Sequence, residues 1–436
     1  MNQYDIAVIG GGAAGLTAAI FAAESAQRRA IGVRIAVLDG AARIGAKILV
    51  SGGGRCNVTH REVRPDDFNG SRHIVRNILA AFDVAATCQW FESMGVRLKC
   101  EASGKMFPVT DNARTVVAAL LQRCHERNVT ILTGHRVHAV RADQPGFVVH
   151  HTEGTSRASR VIMATGGRSL PRTGSDGGGW TIARSLGHSV TATYAALVPL
   201  VLDASLFHAE LSGLSQPVEL STFGDGKVID RRTGSMLWTH FGVSGPVAMD
   251  ASRHWISARG AGQSVAMHCN FLPGEGFEST ERWLLQSAMR SPRLSLGKCL
   301  AHKLPERLGW ALARRTGCDP AMPLAQLARP QRRALVHALV ALPLPILRER
   351  GWNHAEVTAG GVPLEAVDYR TMESRQRCGL YLVGEMLDCD GRIGGFNFQW
   401  AWATGHVAGR AAGRAFQAAA RPAPHALALT DRSTPA

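Results

Sequence analysis

YDIAVIGGGAAGLTAAIFAAESA, residues 4–26, is the stretch whose reading decides the fold. Tyr4 to Gly10 is a short, apolar, β-branched run, the composition of a strand buried on both faces. Leu16 to Ala26 is rich in alanine and free of helix breakers, so a helix is expected there. Between them lies Gly10-Gly11-Gly12-Ala13-Ala14-Gly15, a GxGxxG turn. Arg34 to Leu38 (RIAVL) reads as a second buried strand, closed by Asp39. A β-α-β unit of this kind needs Gly10 for the tight turn, Gly12 for close approach of backbone amides to a pyrophosphate, and Gly15 for packing of helix on strand. The helix N-terminus then offers unpaired N–H groups to the phosphates. Asp39, 24 residues past Gly15, is placed to accept hydrogen bonds from an adenosine ribose. An acid there suits an unphosphorylated ribose, which favours FAD or NAD over NADP.

Three later features favour FAD over NAD. Ala164-Thr165-Gly166-Gly167 follows the strand-like run Arg160 to Met163, and Gly384-Glu385 follows Leu380 to Val383. The long segment from Ala41 to His60, directly after Asp39, has the length to run along a flavin. No second GxGxxG stands in a strand-turn-helix context. The glycine-rich run from Gly174 to Gly179 lacks a following acid at ribose distance and reads as a loop. A dedicated second nucleotide domain is therefore not expected, and a nicotinamide donor would visit the substrate cavity.

The rest of the chain divides by texture. Residues 1–190 and 352–415 share an α/β style, with helical spacing from Val84 to Lys99 and from Asp111 to Arg127, and a small-residue helix from Phe398 to Ala415. Residues 191–275 are short alternating runs separated by Gly and Pro, the pattern of a β-rich insert. Residues 276–351 are helical, with Pro292, Pro305 and Pro330 near the expected helix starts. The fold class is thus α/β: a discontinuous Rossmann-like, disulfide-reductase-type FAD-binding domain, interrupted by a β-rich domain and a small helical domain. Residues 416–436, rich in Ala and Pro, read as a disordered tail.

A chain of 436 residues with 45% hydrophobic and 19% charged residues has material for more than one core. Its nine cysteines form no CxxC pair and no zinc spacing, so neither a metal site nor a disulfide framework is expected. No stretch reaches the roughly 18 apolar residues of a membrane span. The apolar N-terminus is explained by the glycine turn rather than by a signal peptide, and a cytoplasmic address is expected. Net charge is +15. Between Arg282 and Arg350 there are thirteen Lys or Arg against three acids, an excess of ten that falls on the helical insert. Such a cluster is the footprint expected of a polyanion-binding face.

The blocks GGGAAG (10–15), GAKILVSGGGRCNVTH (45–60), GKMFPVTDNA (104–113), ATGGRSLPRTGSDGGGW (164–180), MLWTHFGVSGP (236–246), VTAGGV (357–362), TMES (371–374) and LYLVGEMLDCDGRIGGFNFQWAWATGHVAG (380–409) resemble, in order, those of the BaiN/RdsA-type family of bacterial NAD(P)/FAD-dependent oxidoreductases. Ala46 stands where that family usually has Arg, and Cys389 where Val is common. The resemblance implies non-covalent FAD contacted by Gly10, Gly12, Ala13, Ala14, Gly15 and Asp39, then by Lys47, Gly54, Arg55 and Asn57. It further implies Val137 at the adenine, Ala164, Thr165 and Gly166 nearby, and Gly384, Glu385, Gly394, Gly395, Phe396 and Asn397 in the late half. Two residues are candidates for proton transfer: His240 in the β-rich insert and Cys56 beside the expected flavin. The resemblance leaves several substrates open, namely uridine in ribosomal RNA, a steroid enone or an amine. The basic insert favours RNA, with NAD(P)H as donor; a small-molecule oxidoreductase and a non-enzymatic flavin-carrying RNA-binding factor are the alternatives.

Overall fold

The computed structural model describes residues 2–27 and 32–416. The tail expected to be disordered lies, from residue 417 on, outside the described residues. The first strand, Asn2–Ile9, pairs in parallel with Ile35–Leu38 on one side and Gly154–Met163 on the other. Thr130–Leu132 extends the sheet beyond Ile35–Leu38, and Leu380–Leu382 extends it beyond Gly154–Met163. The five parallel strands thus come from both ends of the chain, and their carboxyl ends share one edge. A hairpin, Val137–Asp143 and Gly146–His151, pairs with the first half of Gly154–Met163. Every residue of Ile6–Ile9 and Ile35–Leu38 is buried, as an apolar run in a two-sided parallel sheet must be. This is a Rossmann-type α/β fold.

From Tyr194 the chain leaves this layer. Tyr194–Ala196 pairs antiparallel with Val357–Ala359, so the outgoing and returning strands run side by side. Between them lies a seven-stranded antiparallel sheet ordered Leu342–Pro343, Val265–Asn270, Ser215–Gly224, Lys227–Thr239, Gly242–Ser244, Leu200–Leu202 and Ile346–Glu349. Helices Phe277–Arg290, Leu296–Ala301, Glu306–Arg315 and Arg329–Val340 follow in sequence. They bury Leu284, Leu300, Leu312 and Leu339 in the same apolar cluster as Trp238 and Met236 of the sheet, so sheet and helices share one core. Two features escaped the sequence reading. Pro246–Gly260 is a helix, started by the proline at its first turn, inside the β-rich segment. The strands Leu342–Pro343 and Ile346–Glu349 return the end of the helical segment to the sheet.

The last helix, Phe396–Ala415, lies against the first, Ala13–Gln27. Glycines at every fourth position make this approach close. A Cβ at Gly405 would sit 2.6 Å from the Ala14 carbonyl oxygen, one at Gly409 2.3 Å from that of Ala18, and one at Gly413 2.4 Å from that of Ala22. On the same helix His406 packs on Phe21 and Phe82, with ring centroids 4.4 and 4.5 Å away. Burial pushes its pKa down to about 4 from 6.5, with Arg410 and Arg414 acting in the same direction.

Gly409→Val forces backbone against side chain where neither helix can yield, and should lower the unfolding free energy by about 3 kcal/mol, read from urea melts. His406 is neutral when folded but charges below its unfolded pKa when unfolded. Its contribution is therefore lost as pH falls from about 6.5 towards about 4. His406→Phe should shrink the stability drop between pH 7 and pH 5 by about 2 kcal/mol; an unchanged drop would show that this histidine does not titrate as its surroundings dictate.

Candidate functional site

The carboxyl edge of the parallel sheet opens into a cavity of about 1010 Å³. Its floor is the first glycine turn. Gly10 has φ +107°, and a Cβ there would lie 2.4 Å from the Ala164 carbonyl oxygen; a Cβ on Gly15 would lie 1.9 Å from the Gly10 carbonyl oxygen. These two glycines are required by packing. Gly12 differs: a Cβ there would meet nothing within 4 Å, because the position faces the cavity. The Gly11 amide donates to Asp39 Oδ2 at 2.6 Å and the Ala41 amide to Oδ1 at 2.7 Å, which fixes the acid at the end of its strand.

A second wall forms where distant segments meet. Lys47 Nζ donates to Glu385 Oε2 at 2.7 Å and to Ser169 Oγ at 2.8 Å, and Ser169 Oγ lies 2.8 Å from Glu385 Oε1. The Thr358 amide donates to the same Oε1 at 3.0 Å. Gly167 is needed beside this knot, since a Cβ there would fall 2.4 Å from Thr358 Oγ1 and 2.8 Å from Glu385 Oε1.

The third wall is built on left-handed backbone. Gly52, Gly53 and Gly54 have φ +56°, +70° and +85°, and Cys56 follows at +63°. The carbonyl oxygen of the Asn57 side chain is buried at the cavity lining without a hydrogen-bond partner among the described residues. Against this loop lies the turn before the last helix. A Cβ on Gly395 would sit 2.5 Å from the Thr59 backbone and 2.9 Å from Asn57 Oδ1. Asn397 braces the turn, accepting from the Gly391 amide at 2.8 Å and donating to its carbonyl at 2.9 Å. The early and late glycine segments therefore meet in space.

Of the residues singled out in the sequence, Gly10, Gly12, Ala13, Ala14, Asp39, Lys47, Arg55, Asn57, Val137, Ala164, Thr165, Gly166, Gly384, Glu385, Gly394, Gly395 and Asn397 line this one cavity. Gly15 and Gly54 lie behind it. Phe396 points away and stacks on His60 with centroids 4.8 Å apart. Arg55 lines the cavity but is engaged, donating to Glu101 Oε1 at 2.6 Å and lying 4.0 Å over the Phe107 ring. The two proton-transfer candidates are not brought to the site. His240 is exposed at the end of strand Lys227–Thr239, against Phe241. Cys56 is fully enclosed, and burial pushes its thiol up to about 12. Gly174–Gly179, read as a loop, becomes helical from Gly178 and is held by Arg136, whose Nη2 donates to Asp176 Oδ1 at 2.6 Å. Lys105 and Arg392, which lie inside the quoted blocks 104–113 and 380–409, and Glu356, directly before block 357–362, also line the cavity but were not singled out in the sequence.

The lining fits FAD. Arg43, Lys47, Arg55, Lys105, Arg136, Arg172 and Arg392 outnumber Asp39, Asp176, Glu356 and Glu385, a surplus that suits a diphosphate. The open space at Gly12, the fixed Asp39 and the unpartnered Asn57 oxygen lie along the same cavity.

A family model described as "HI0933-like protein Rossmann domain" matches residues 4–411. The chain is 34% identical over 413 residues to the 3-dehydro-bile acid delta(4,6)-reductase of Clostridium scindens, covering 94% of this chain and 99% of that protein. It is 33% identical over 407 residues to the ribosomal RNA dihydrouridine synthase of Escherichia coli, covering 93% and 96%. Among solved structures, E. coli quinol fumarate reductase aligns with a TM-score of 0.50 at 15% identity, over 97% of this chain and 72% of that one, a likeness of fold.

Gly12→Val and Gly15→Val separate a cofactor role from a packing role. Gly12→Val should leave the melting temperature of the FAD-free protein unchanged while weakening FAD binding by about a hundredfold, roughly 3 kcal/mol. Gly15→Val should instead impair folding, because its side chain meets the Gly10 carbonyl. Equal FAD affinity in Gly12→Val and the unaltered protein would remove the pyrophosphate from this turn.

Proposed function

Since this chain belongs to the HI0933-like Rossmann family and is an FAD-dependent oxidoreductase, we propose that it reduces a carbon–carbon double bond conjugated to a carbonyl, with uridine in ribosomal RNA as the substrate. The two named relatives share that chemistry. A 3-oxo-Δ4,6 bile acid and uracil both present a C=C bond in conjugation with C=O, and a reductase of the first and a dihydrouridine synthase both add two hydrogens across it. The non-enzymatic carrier reading is not retained.

FAD is held, in this reading, by Gly10–Ala14 and Asp39 on the adenosine-pyrophosphate side, with Val137 beside the adenine. Lys47, Asn57, Glu385 and Gly394–Asn397 take the flavin half. Bound FAD supplies hydride transfer, and the protein supplies position and charge. Amides at the start of the last helix favour negative charge on the ring edge they face. NADH or NADPH is the proposed donor, entering the same cavity.

One observation favours RNA over a small enone. Arg282, Arg290, Arg293, Lys298, Arg315 and Arg329 of the helical insert are exposed, and none has an ion pair among the described residues. Some cations elsewhere are matched, as Arg123 and Arg127 are by Glu24. Unneutralised arginines on one insert repel one another, and phosphates would relieve that repulsion. No described helix is long and apolar enough to cross a membrane.

Anaerobic NADPH or NADH should bleach the bound flavin, and unmodified ribosomal RNA transcript should restore the colour with formation of dihydrouridine. The double variant Arg290→Glu/Arg293→Glu should raise KM for the transcript about tenfold at physiological salt, an effect that fades at high salt. Turnover of a 4-en-3-one steroid with no response to RNA would move the substrate to the small-molecule class.

A further inference from the structure

The reaction proposed above needs a proton as well as a hydride, and neither acid suggested by the sequence reaches the cavity. Glu356 does. We propose that Glu356 is the catalytic acid, delivering a proton to the substrate carbon beside the carbonyl as hydride arrives at the other carbon of the double bond. The assignment rests on the C=C-reduction reading.

Three observations carry it. First, Glu356 stands where the insert rejoins the FAD-binding layer, directly before strand Val357–Ala359. Its amide donates to the Leu197 carbonyl at 3.1 Å, and its own carbonyl accepts from Ser169 Oγ at 3.2 Å. The backbone is therefore tied both to the insert-side loop and to the Lys47–Glu385 knot. Second, the side chain projects into the cavity and makes no hydrogen bond or ion pair among the described residues. The other acids of the lining are engaged: Glu385 by Lys47, Ser169 and Thr358, Asp39 by two amides, Asp176 by Arg136. Third, its surroundings favour the neutral acid. The residue is exposed to the open cavity, yet the protein packed around the carboxyl strips enough water from it to raise its pKa; Lys105 opposes the rise and Asp250 adds to it.

The facing charges place the acid at the flavin end. Lys105 Cε lies 3.6 Å from where a Cβ on Gly394 would stand, so the cation that Glu356 feels borders the late glycine turn. Asp250, the acid that acts on Glu356, is itself held in place, accepting from the Ile393 amide at 2.7 Å and lying 3.5 Å from Arg392. His354, two residues away in the same lining, has its pKa lowered by burial and by Arg350, which disfavours its protonated, proton-donating form.

The step balances. Hydride from the reduced flavin and a proton from Glu356 add across C=C to give CH–CH, leaving oxidised flavin and the Glu356 carboxylate. Lys105 stabilises that carboxylate until water returns the proton, and a reduced nicotinamide restores the hydride.

The test uses the FAD-loaded protein, reduced with dithionite, with the ribosomal RNA transcript and a 4-en-3-one steroid as acceptor probes. Glu356→Gln should retain FAD by absorbance yet transfer hydride to the acceptor that works at least about 100-fold more slowly. In the unaltered protein the rate should fall as pH rises through the Glu356 ionisation; in Glu356→Gln that dependence should vanish. Formate should partly rescue Glu356→Ala, which a merely structural role would not allow. Infrared difference spectra should show a protonated carboxyl band above pH 4.5 that Glu356→Gln lacks. Equal rates in Glu356→Gln and the unaltered protein, or no lost band, overturn the assignment while leaving C=C reduction intact. If neither acceptor reoxidises the unaltered protein, the C=C-reduction reading fails and the acid falls with it.

Discussion

Everything at the site depends on backbone lying against backbone where the two ends of the chain meet. Gly405, Gly409 and Gly413 bring the last helix onto the carbonyls of Ala14, Ala18 and Ala22, at a spacing that leaves no room for a methyl group. Gly384 extends the contact, its Cβ position lying 2.9 Å from Ala14 Cβ. Because the first helix begins at the glycine turn, fixing the last helix against it also fixes the Gly394–Gly395 turn relative to Gly10–Gly15. Polar contacts complete the placement. Gln399 accepts from Thr59 Oγ1 and donates to the Phe82 carbonyl and Thr87 Oγ1, while Trp402 Nε1 donates to the Val58 carbonyl. These buried hydrogen bonds resist displacement, since a lost partner leaves a desolvated polar group behind. A cofactor cradle made of segments more than 300 residues apart is thereby held as one rigid surface.

How much of this was legible follows from how local each signal is. The Rossmann unit is written in consecutive residues: β-branched run, glycine turn, alanine-rich helix, second run and terminal acid. The structure keeps each element within a few residues of its expected place. The inserted sheet was visible as alternation, but the helix Pro246–Gly260 was not. Its buried residues include Asp250 and Ser252, and its pattern in sequence shows no clean apolar stripe. The sharing of one core by sheet and helical segment was also invisible, because it depends on how Leu284, Leu312 and Trp238 meet, not on the periodicity of any one segment.

The site divides along the same line. Glycines and strand-end acids belong to motifs, and the cavity gathers nearly all of them. Cys56 and His240 were chosen for intrinsic chemistry and nearness in sequence to motif residues. One is sealed in the core, the other turned to solvent. Lys105, Arg392 and Glu356 lie in or beside motif blocks, but nothing in the sequence shows that their side chains share one end of a cavity. They become a group only when the strand Lys105–Pro108, the loop before the last helix and the returning end of the insert converge.

That convergence is also why one end of the cavity is chemically unlike the rest. The end at the first glycine turn is lined largely by backbone amides and carbonyls, whose dipoles are fixed and whose protonation never changes. The opposite end is lined by side chains from three separate segments, and there the Glu356 carboxyl feels the charge of Lys105. A cofactor that must stay bound through many turnovers is best held by groups that do not titrate. A step that moves a proton needs one group that does, enclosed enough to keep it and open enough to regain it from water. The insert supplies that group where its chain re-enters the sheet layer at Val357, and the residue before that strand, Glu356, lines the open cavity.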